Sequence, residues 1–590
     1  LTPEIHQRRV ARVLMLSLGT MLAALAGYLL YIQIYSADTL SALASKQQHM
    51  RIPLLPQRGQ ILDVRLRPLA ASIETPSVFA DPKVVRDPLD AAAKVAPLLG
   101  VPAEEIYRKL AAELDKDPPG RFVWIARRVS PDAAEAVRRL GVAGFGTVSE
   151  GMRTYPNGTL AAHILGCVGT DEQGLDGLEM LFNERLSGHK GEAFVLTDRS
   201  RRPIWTEPEH FTPAEDGQHI VLTIDATIQA AAEAAIEEVW KKYEATSASA
   251  IVIDPKTGAI LAMANVPTFD PNHYNQSPVE ARRNRAITDP SPPGSSGKPF
   301  FAAVGLEAGV THFGEVTFCE NGYWAAAKMH DAGHSYGNLT LEMILIHSSN
   351  IGMAKLGVRM GNERLHGVLD SFGFGRKTGI WLPGESSGLV WNLKRWTSLS
   401  TTRIPIGQEF SATPLQMASA FAAIANHGVL LRPRIIRGVL DNRGQAALEP
   451  VEPEVVGQAV DAKIAQQLID RALVGVVEEG TGTKCQIPGY RIFGKTGTAQ
   501  KIDPETHTIS STRYMGAFLC GVPADDPKIV VVVMVDEPKK SLGYYGGTVA
   551  APAAKRILEQ TLPYLGIPPS EPVPDRKGVH VVAHEVRVTD

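Results

Sequence analysis

Three short stretches of this chain carry residue types that together could move an acyl group. The first is Pro292-Pro293-Gly294-Ser295-Ser296-Gly297-Lys298-Pro299-Phe300. Ser295 and Lys298 are three residues apart, so one helical turn sets both on the same face. A serine hydroxyl is a weak nucleophile at neutral pH, and a neighbouring amine kept neutral by burial can take its proton. The second stretch is Ser348-Ser349-Asn350, the only Ser-x-Asn in the sequence. The third is Lys495-Thr496-Gly497-Thr498. An acyl-transferring serine needs a proton relay to the leaving amine, a cation for the substrate carboxylate and an oxyanion hole. The three stretches, in this order, contain groups for each task.

Each motif alone is weak. Ser-x-x-Lys arises by chance roughly once or twice in a chain of this length. Alone, Ser295 reads equally as a helix cap beside a surface lysine, and Ser348 as a cap in a surface loop. A second copy, Ser187-Gly188-His189-Lys190, lies among glycines with no helix behind it and reads as a loop. Lys-Thr-Gly occurs three times. Lys256-Thr257-Gly258 falls in a hairpin turn, and Lys377-Thr378-Gly379 falls between glycine-rich loops. Only Lys495-Thr496-Gly497 follows a short apolar strand and opens another, where an exposed strand would offer backbone N–H groups to a cleft. The expected catalytic set is therefore Ser295, Lys298, Ser348, Asn350 and Lys495, with Thr496, Gly497 and Thr498 binding substrate.

The elements that must position these groups follow from pattern. Residues 300–306 read as a buried helix, with Pro299 suited to its first turn. Helical segments flank Ser348 and make it a helix-loop-helix junction. A strand at 220–224 precedes a long alanine-rich helix capped by Asp225 or Thr227 and running to about Tyr243. A hairpin follows, with strands at 247–253 and 259–264. Further strands are expected at 490–494, 498–501, 513–521 and 529–535, the last almost pure valine as suits a central strand. A helix at 552–562 closes the domain. Upstream, helical regions at 88–114 and 130–140, a strand-turn entry at 58–63, a turn at 152–158 and a short helix after Gly174 make a mixed module with no catalytic constellation.

A chain of 590 residues holds two to four domains. The net charge of −3 gives no sign of nucleic-acid binding. Cys167, Cys319, Cys485 and Cys520 lack Cys-x-x-Cys or Cys/His spacing, which argues against zinc; structural free thiols are expected, one disulfide being the alternative. Arg8, Arg9 and Arg12 precede an uncharged run at 13–32, about 20 residues and enough to cross a bilayer as a helix. The basic flank puts the N-terminus in the cytoplasm and the bulk of the chain outside. The alternative is a cleaved signal peptide ending at Ala42-Leu43-Ala44, some ten residues beyond an already long core. The expected organisation is a cytoplasmic tail at 1–12, an anchor at 13–34, a supporting module at 35–215, a catalytic domain at 216–566 and a tail at 567–590 that begins proline-rich.

With these residues in view, the chain resembles the class B penicillin-binding proteins, membrane-anchored D,D-transpeptidases of bacterial cell-wall synthesis. The resemblance rests on Pro293 to Phe300 (with Ser296 in place of the family's threonine), Ser348 to Met353 and Gly494 to Ala499. Landmarks outside the site also resemble the family: Asn284-Arg285-Ala286, Gly379 to Glu385, Thr413-Pro414-Leu415-Gln416, Arg58-Gly59-x-Ile61-x-Asp63 and Arg153-x-Tyr155-Pro156. The implied fold is α+β: a transmembrane helix, an elongated mixed pedestal, and a transpeptidase domain whose antiparallel sheet is sandwiched by helices, as in serine β-lactamases. Ala44 to Gln48, Ser77 to Pro82, Asp536-Glu537-Pro538 and Tyr545-Gly546-Gly547 look more like the division (septal) branch than the elongation branch. A β-lactam sensor or hydrolase and a non-catalytic division scaffold are the other classes to weigh.

The resemblance implies the chemistry. Lys298, neutral through burial and the charge of Lys495, takes the Ser295 proton, and Ser295 attacks the penultimate D-Ala carbonyl of a stem pentapeptide. The Ser295 and Thr498 N–H groups hold the oxyanion. Ser348, positioned by Asn350 and Lys298, protonates the departing D-Ala, and Lys495, Thr496 and Thr498 hold its carboxylate. A second strand's side-chain amine then takes the acyl group. No metal or cofactor is implied. Implied partners are the D-Ala-D-Ala stem peptide and acceptor strand, β-lactams, the inner membrane, a polytopic glycan polymerase and other division proteins. Gly297 stands where the family has a larger residue, which would widen the cleft wall. Asp63-Val64-Arg65-Leu66 replaces the usual Asp-Arg-Asn-Gly turn, and Glu409 stands where a small residue is common.

Overall fold

The computed structural model describes residues 3–35, 37–38, 49–197, 203–444, 452–503, 505–506 and 508–571. The run at 44–48, the cleavage-like Ala42-Leu43-Ala44 and the tail beyond 571 lie outside the described residues. Two compact units emerge, one of residues 1–57 and 188–216, the other of 58–187 and 217–590.

In the first unit, a helix spans Pro3–Leu30 and continues as a π-turn over Tyr31–Tyr35. It is fully exposed and, by length and apolarity, among the described residues the one helix able to cross a membrane. The same unit holds a three-stranded antiparallel sheet of His49–Leu54, Gly191–Thr197 and Pro203–Thr212.

The larger unit begins with a six-stranded sheet. Ile61–Leu62 pairs antiparallel with Pro68–Ala80 and parallel with His219–Leu222, which in turn pairs with Ile436–Leu440. Pro68–Ala80 also pairs with Val123–Ala126 and Phe145–Thr154. The expected turn at 152–158 is thus a strand as far as Thr154, because the long partner strand supplies hydrogen bonds up to Ala71. Helices Pro88–Leu99 and Ala103–Leu114 are separate, broken by Gly100 in the left-handed conformation (φ 64°). They pack on this sheet through Val95, Ile106 and Leu110.

A buried ionic network ties these segments. Glu179 receives Arg58 Nε at 2.9 Å and Arg153 Nε at 2.6 Å, with all three side chains almost wholly buried. The remaining Arg58 donors reach Asn183, Ser187 and the Glu179 carbonyl. Ser187, of the alternative Ser-x-x-Lys, is therefore an acceptor in this network. Nearby, Asp63 closes its turn by accepting from the Arg65 and Arg67 N–H groups, with Leu66 at φ 63°. Leucine thus adopts the left-handed geometry that a glycine would take without strain. Arg67 bridges Asp63 and Asp225, and Asp225 caps the helix α1 (Ala226–Lys242).

A five-stranded antiparallel sheet carries the rest. Its strands are β1 (Ser247–Ile253), β2 (Ile260–Val266), β3 (Phe493–Ile502), β4 (Ile509–Val522) and β5 (Ile529–Asp536), in the order β2-β1-β5-β4-β3. The valine-rich β5 is central, as its two buried faces require. Val530, Val532 and Met534 face one core, with helices α2 (Lys298–Glu307) and α5 (Pro414–Ala425). Val531, Val533 and Val535 face the other, with α1 and α6 (Ala551–Tyr564). Between α2 and α5 run α3 (Leu341–Ile346) and α4 (Asn350–Ser371). The two strands expected around Lys495 are one continuous edge strand, β3, held by unbroken pairing of Phe493–Gln500 with β4. The Thr413 landmark is the capping box of α5, and Glu385 caps the Thr378-Gly379 loop through both backbone N–H groups. All four cysteines are free and buried.

Candidate active site

The turn bearing Ser295 is a single 3₁₀ turn, Gly294–Gly297, that runs directly into α2. It lies hard against edge strand β3 on one side and the turn ending at Gly407 on the other, and a glycine on each side makes the approach possible. A Cβ at Gly497 would sit 2.8 Å from Ser296 Oγ and 2.9 Å from the Pro293 carbonyl. A Cβ at Gly407 would sit 2.0 Å from the Gly294 carbonyl. Neither clash could be relieved without moving backbone. Gly297 behaves differently from the expectation of a widened cleft. Its missing Cβ points inward, to ordinary contact distances of 3.6–3.7 Å from Gly407, Pro293 and Phe410, so its size bears on core packing.

Lys298 opens α2 and is wholly buried. Its Nζ donates to the Ser348 carbonyl at 2.5 Å, Asn350 Oδ1 at 2.9 Å and Ser348 Oγ at 3.2 Å. Lys495, equally buried on β3, donates to the same Ser348 Oγ at 3.0 Å and to the Thr496 carbonyl at 3.1 Å. Two amines thus converge on one hydroxyl. Ser348 reaches them from the α3–α4 junction with φ at 61°, a geometry a non-glycine residue holds only under constraint.

The constraint comes from Asp331, which no sequence motif marks. Its buried carboxylate accepts from Asn350 N at 2.6 Å, Ile351 N at 3.0 Å and Ser349 Oγ at 2.8 Å. Ser349 in turn accepts from Gly352 N at 3.0 Å. Asp331 and Ser349 together satisfy the first N–H groups of α4 and so fix the junction in which Ser348 sits.

Burial pushes the Lys298 amine down from its ordinary 10.5 to about 7, partly opposed by the charge of Asp331. Lys495 is lowered well below 10.5, first by burial and then by repulsion from Lys298. Burial is the first cause for both amines, and their mutual repulsion adds to it. The Ser295 hydroxyl makes no side-chain hydrogen bond among the described residues, and the Lys298 amine is engaged by Ser348 and Asn350 rather than by Ser295.

These groups open onto a cleft of about 680 Å³ lined by Ser295, Ser348, Asn350, Thr496 and Thr498. Thr481 Oγ1 and Thr496 Oγ1 share a hydrogen bond of 2.6 Å, and Gly546 N donates to Thr498 Oγ1 at 3.2 Å. Thr481 joins Asp331 as a cleft residue no sequence motif marked. Tyr514, Tyr544 and Tyr545 stack along one rim, with centroids 4.3 and 4.4 Å apart. A second cavity of about 730 Å³ lies elsewhere, beside Lys256 and Pro523. Lys256, of the hairpin Lys-Thr-Gly, pairs there with Asp526, and none of the convergent groups is present. Chemistry, not volume, separates the two.

The sheet, the turn and the paired amines define a serine acyl-transfer fold, and sequence comparison agrees. Residues 248–559 match the penicillin binding protein transpeptidase domain, and residues 53–222 match the penicillin-binding protein dimerisation domain. The chain belongs to the class B penicillin-binding proteins, and its activity is that of a peptidoglycan D,D-transpeptidase. It is 33% identical to the peptidoglycan D,D-transpeptidase FtsI of Escherichia coli, over 93% of this chain and 90% of that one. It is also 33% identical to the stage V sporulation protein D of Bacillus subtilis, over 91% and 83%. Among solved structures, penicillin binding protein 3 of Mycobacterium tuberculosis complexed with aztreonam is 28% identical with a TM-score of 0.67, covering 88% of this chain and 99% of that one. The same protein has been solved with ampicillin.

Proposed function

We propose that this transpeptidase crosslinks septal peptidoglycan through an acyl-enzyme on Ser295. The observation that carries the site assignment is the convergence of two buried amines on Ser348 Oγ beside the Ser295 turn. Lys298, near 7, supplies a free-base amine at neutral pH and takes the Ser295 proton. Ser295 attacks the penultimate D-Ala carbonyl, and the N–H groups of Ser295 and Thr498 hold the oxyanion. A donor of that kind is worth about 3–4 kcal/mol of barrier. The terminal carboxylate of the donor, arriving at Lys495, Thr496 and Thr498, offsets the repulsion from Lys298 and favours the charged form of Lys495. Ser348, held by both lysines, hands a proton to the leaving D-Ala, and a side-chain amine of a second strand then takes the acyl group. β-Lactams mimic the D-Ala-D-Ala end and acylate the same serine.

The exposed N-terminal helix serves as a single anchor in the cytoplasmic membrane, with the catalytic domain on its outer side and the 35–215 module as its pedestal. The septal role is supported by the Ser77 to Pro82 and Tyr545 to Gly547 landmarks, and it implies a polytopic glycan polymerase as partner. Labelled penicillin tests the site: the wild-type protein is labelled and Ser295→Ala is not. Labelling of Ser295→Ala would sink the assignment. Depletion in cells tests the role, since filaments mark septal synthesis and rounded cells mark elongation.

A further inference from the structure

The cleft has a second wall that acylation does not use. Running outward from Ser348, His347 stacks on Tyr336 with centroids 5.4 Å apart and planes 22° from parallel, and Tyr336 stacks on His334 at 5.2 Å and 24°. All three rings line the same cleft as Ser295 and Ser348. His334 is exposed, and Tyr336 and His347 are half-buried. The stack begins one residue from the hydroxyl that both amines bond. Asp331 is the only acidic residue among the described residues of the cleft lining, and its carboxylate is already engaged by the start of α4.

Acyl transfer has two halves, and the amine that attacks the acyl-enzyme enters where the leaving amine departed. If Ser348 protonates the leaving amine, it also receives the proton of the incoming one. The acceptor must therefore approach along the surface that continues from Ser348. We propose that the His334–Tyr336–His347 stack is the acceptor subsite, taking the stem peptide of the second strand. The aliphatic side chain that ends in the attacking amine lies along the ring faces, and the peptide's carboxylates meet imidazole N–H groups on a wall without a free acid. In the step itself the acceptor nitrogen forms a bond to the acyl carbon and the Ser295 ester bond breaks. One amine proton passes through Ser348 and Lys298 to the Ser295 oxygen. No electrons are exchanged with a third reactant. This inference rests on Ser295 being the acylated group.

The test uses the full chain in detergent with a pentapeptide donor and two acceptors. One acceptor is a tripeptide carrying a diamino acid with a free side-chain amine; the other is labelled D-alanine, too short to reach the rings. The readouts are the ratio of transferred to hydrolysed product and labelling by a fluorescent penicillin. Tyr336→Ala is expected to lower the ratio about tenfold with the tripeptide, the size of one aromatic contact. The D-alanine ratio stays within about twofold, and Tyr336→Phe, which keeps the stack, behaves as wild type. His334→Ala, at an exposed position, gives a smaller loss of the same kind and carries the test if Tyr336→Ala misfolds and loses penicillin labelling. An unchanged tripeptide ratio, or equal losses with both acceptors, overturns the subsite. A wild-type protein that penicillin does not label at Ser295 overturns the acyl-enzyme reading instead.

Discussion

Around Glu179 two guanidinium groups share one buried carboxylate; around Ser348 two amines share one hydroxyl. In the first region opposite charges meet at 2.6 and 2.9 Å, and the spare donors other than Arg153 Nη2 find carbonyl, amide and hydroxyl partners. Removing Glu179 there leaves two buried guanidinium groups without a counter-charge, so the shared carboxylate locks the segments it joins. In the second region like charges lie together with the nearest carboxylate, Asp331, turned to backbone N–H groups. Burial there favours the amines without their extra protons. One arrangement holds the chain in place, and the other sacrifices stability for a reactive amine.

Swapping members of the two regions should separate these effects. Lys298→Met is expected to lower the rate of penicillin acylation by about 10²–10⁴-fold, the usual contribution of a general base, while the melting temperature holds or rises. A melting temperature that fell by many degrees would make Lys298 a structural residue. Glu179→Ala should do the reverse and cost about 3–5 kcal/mol of stability in denaturant titration. The acylation rate per folded molecule should stay near wild type.

The pH dependence of stability sharpens the contrast. Between about 7 and 10.5 the unfolded chain keeps a proton on Lys298 that the folded chain has released. The unfolded state binds more protons, so stability rises with pH across this window, by up to about 1.4 kcal/mol per unit for each such lysine. Below about 7 both states are protonated and the slope from Lys298 vanishes. Lys298→Met should flatten the rise, and a wild-type curve already flat between 7 and 10 would refute the buried neutral amine. The smallest effect concerns the turn beside the Asp63–Arg67–Asp225 bridge. Leu66→Gly releases the left-handed strain and should stabilise by about 1 kcal/mol in thermal unfolding, less the extra freedom glycine gains in the unfolded chain.

What the sequence made legible follows the range of the interactions. Ser295 and Lys298 share a helical turn, Ser348 sits at a junction between helices, and β5 reads as central from its valines alone; each is a local pattern. Convergence is not local. Nothing near Asp331 marks it as the carboxylate that fixes Ser348, because its partners come from the start of α4. The same holds for Thr481 against Thr496. The continuous strand through Lys495 reads as two in sequence because Lys-Thr-Gly-Thr is polar and carries a glycine. Its pairing with β4 supplies the order that propensity lacks. Gly297 reads as part of the cleft wall in sequence because sequence shows neighbours but not the direction of a missing Cβ.

The strand order of the five-stranded sheet bears on when this protein becomes reactive. The β1–β2 hairpin can form as soon as it is made, yet its partner in the sheet is β5, with Ile253 opposite Val530. Closing so long a loop is slow relative to the local pairings on either side of it. Ser295 is made halfway along the chain and Lys495 much later, so a growing chain carries the serine without the strand that completes its surroundings. The two amines can converge on Ser348 only once β3 has been made and paired with β4.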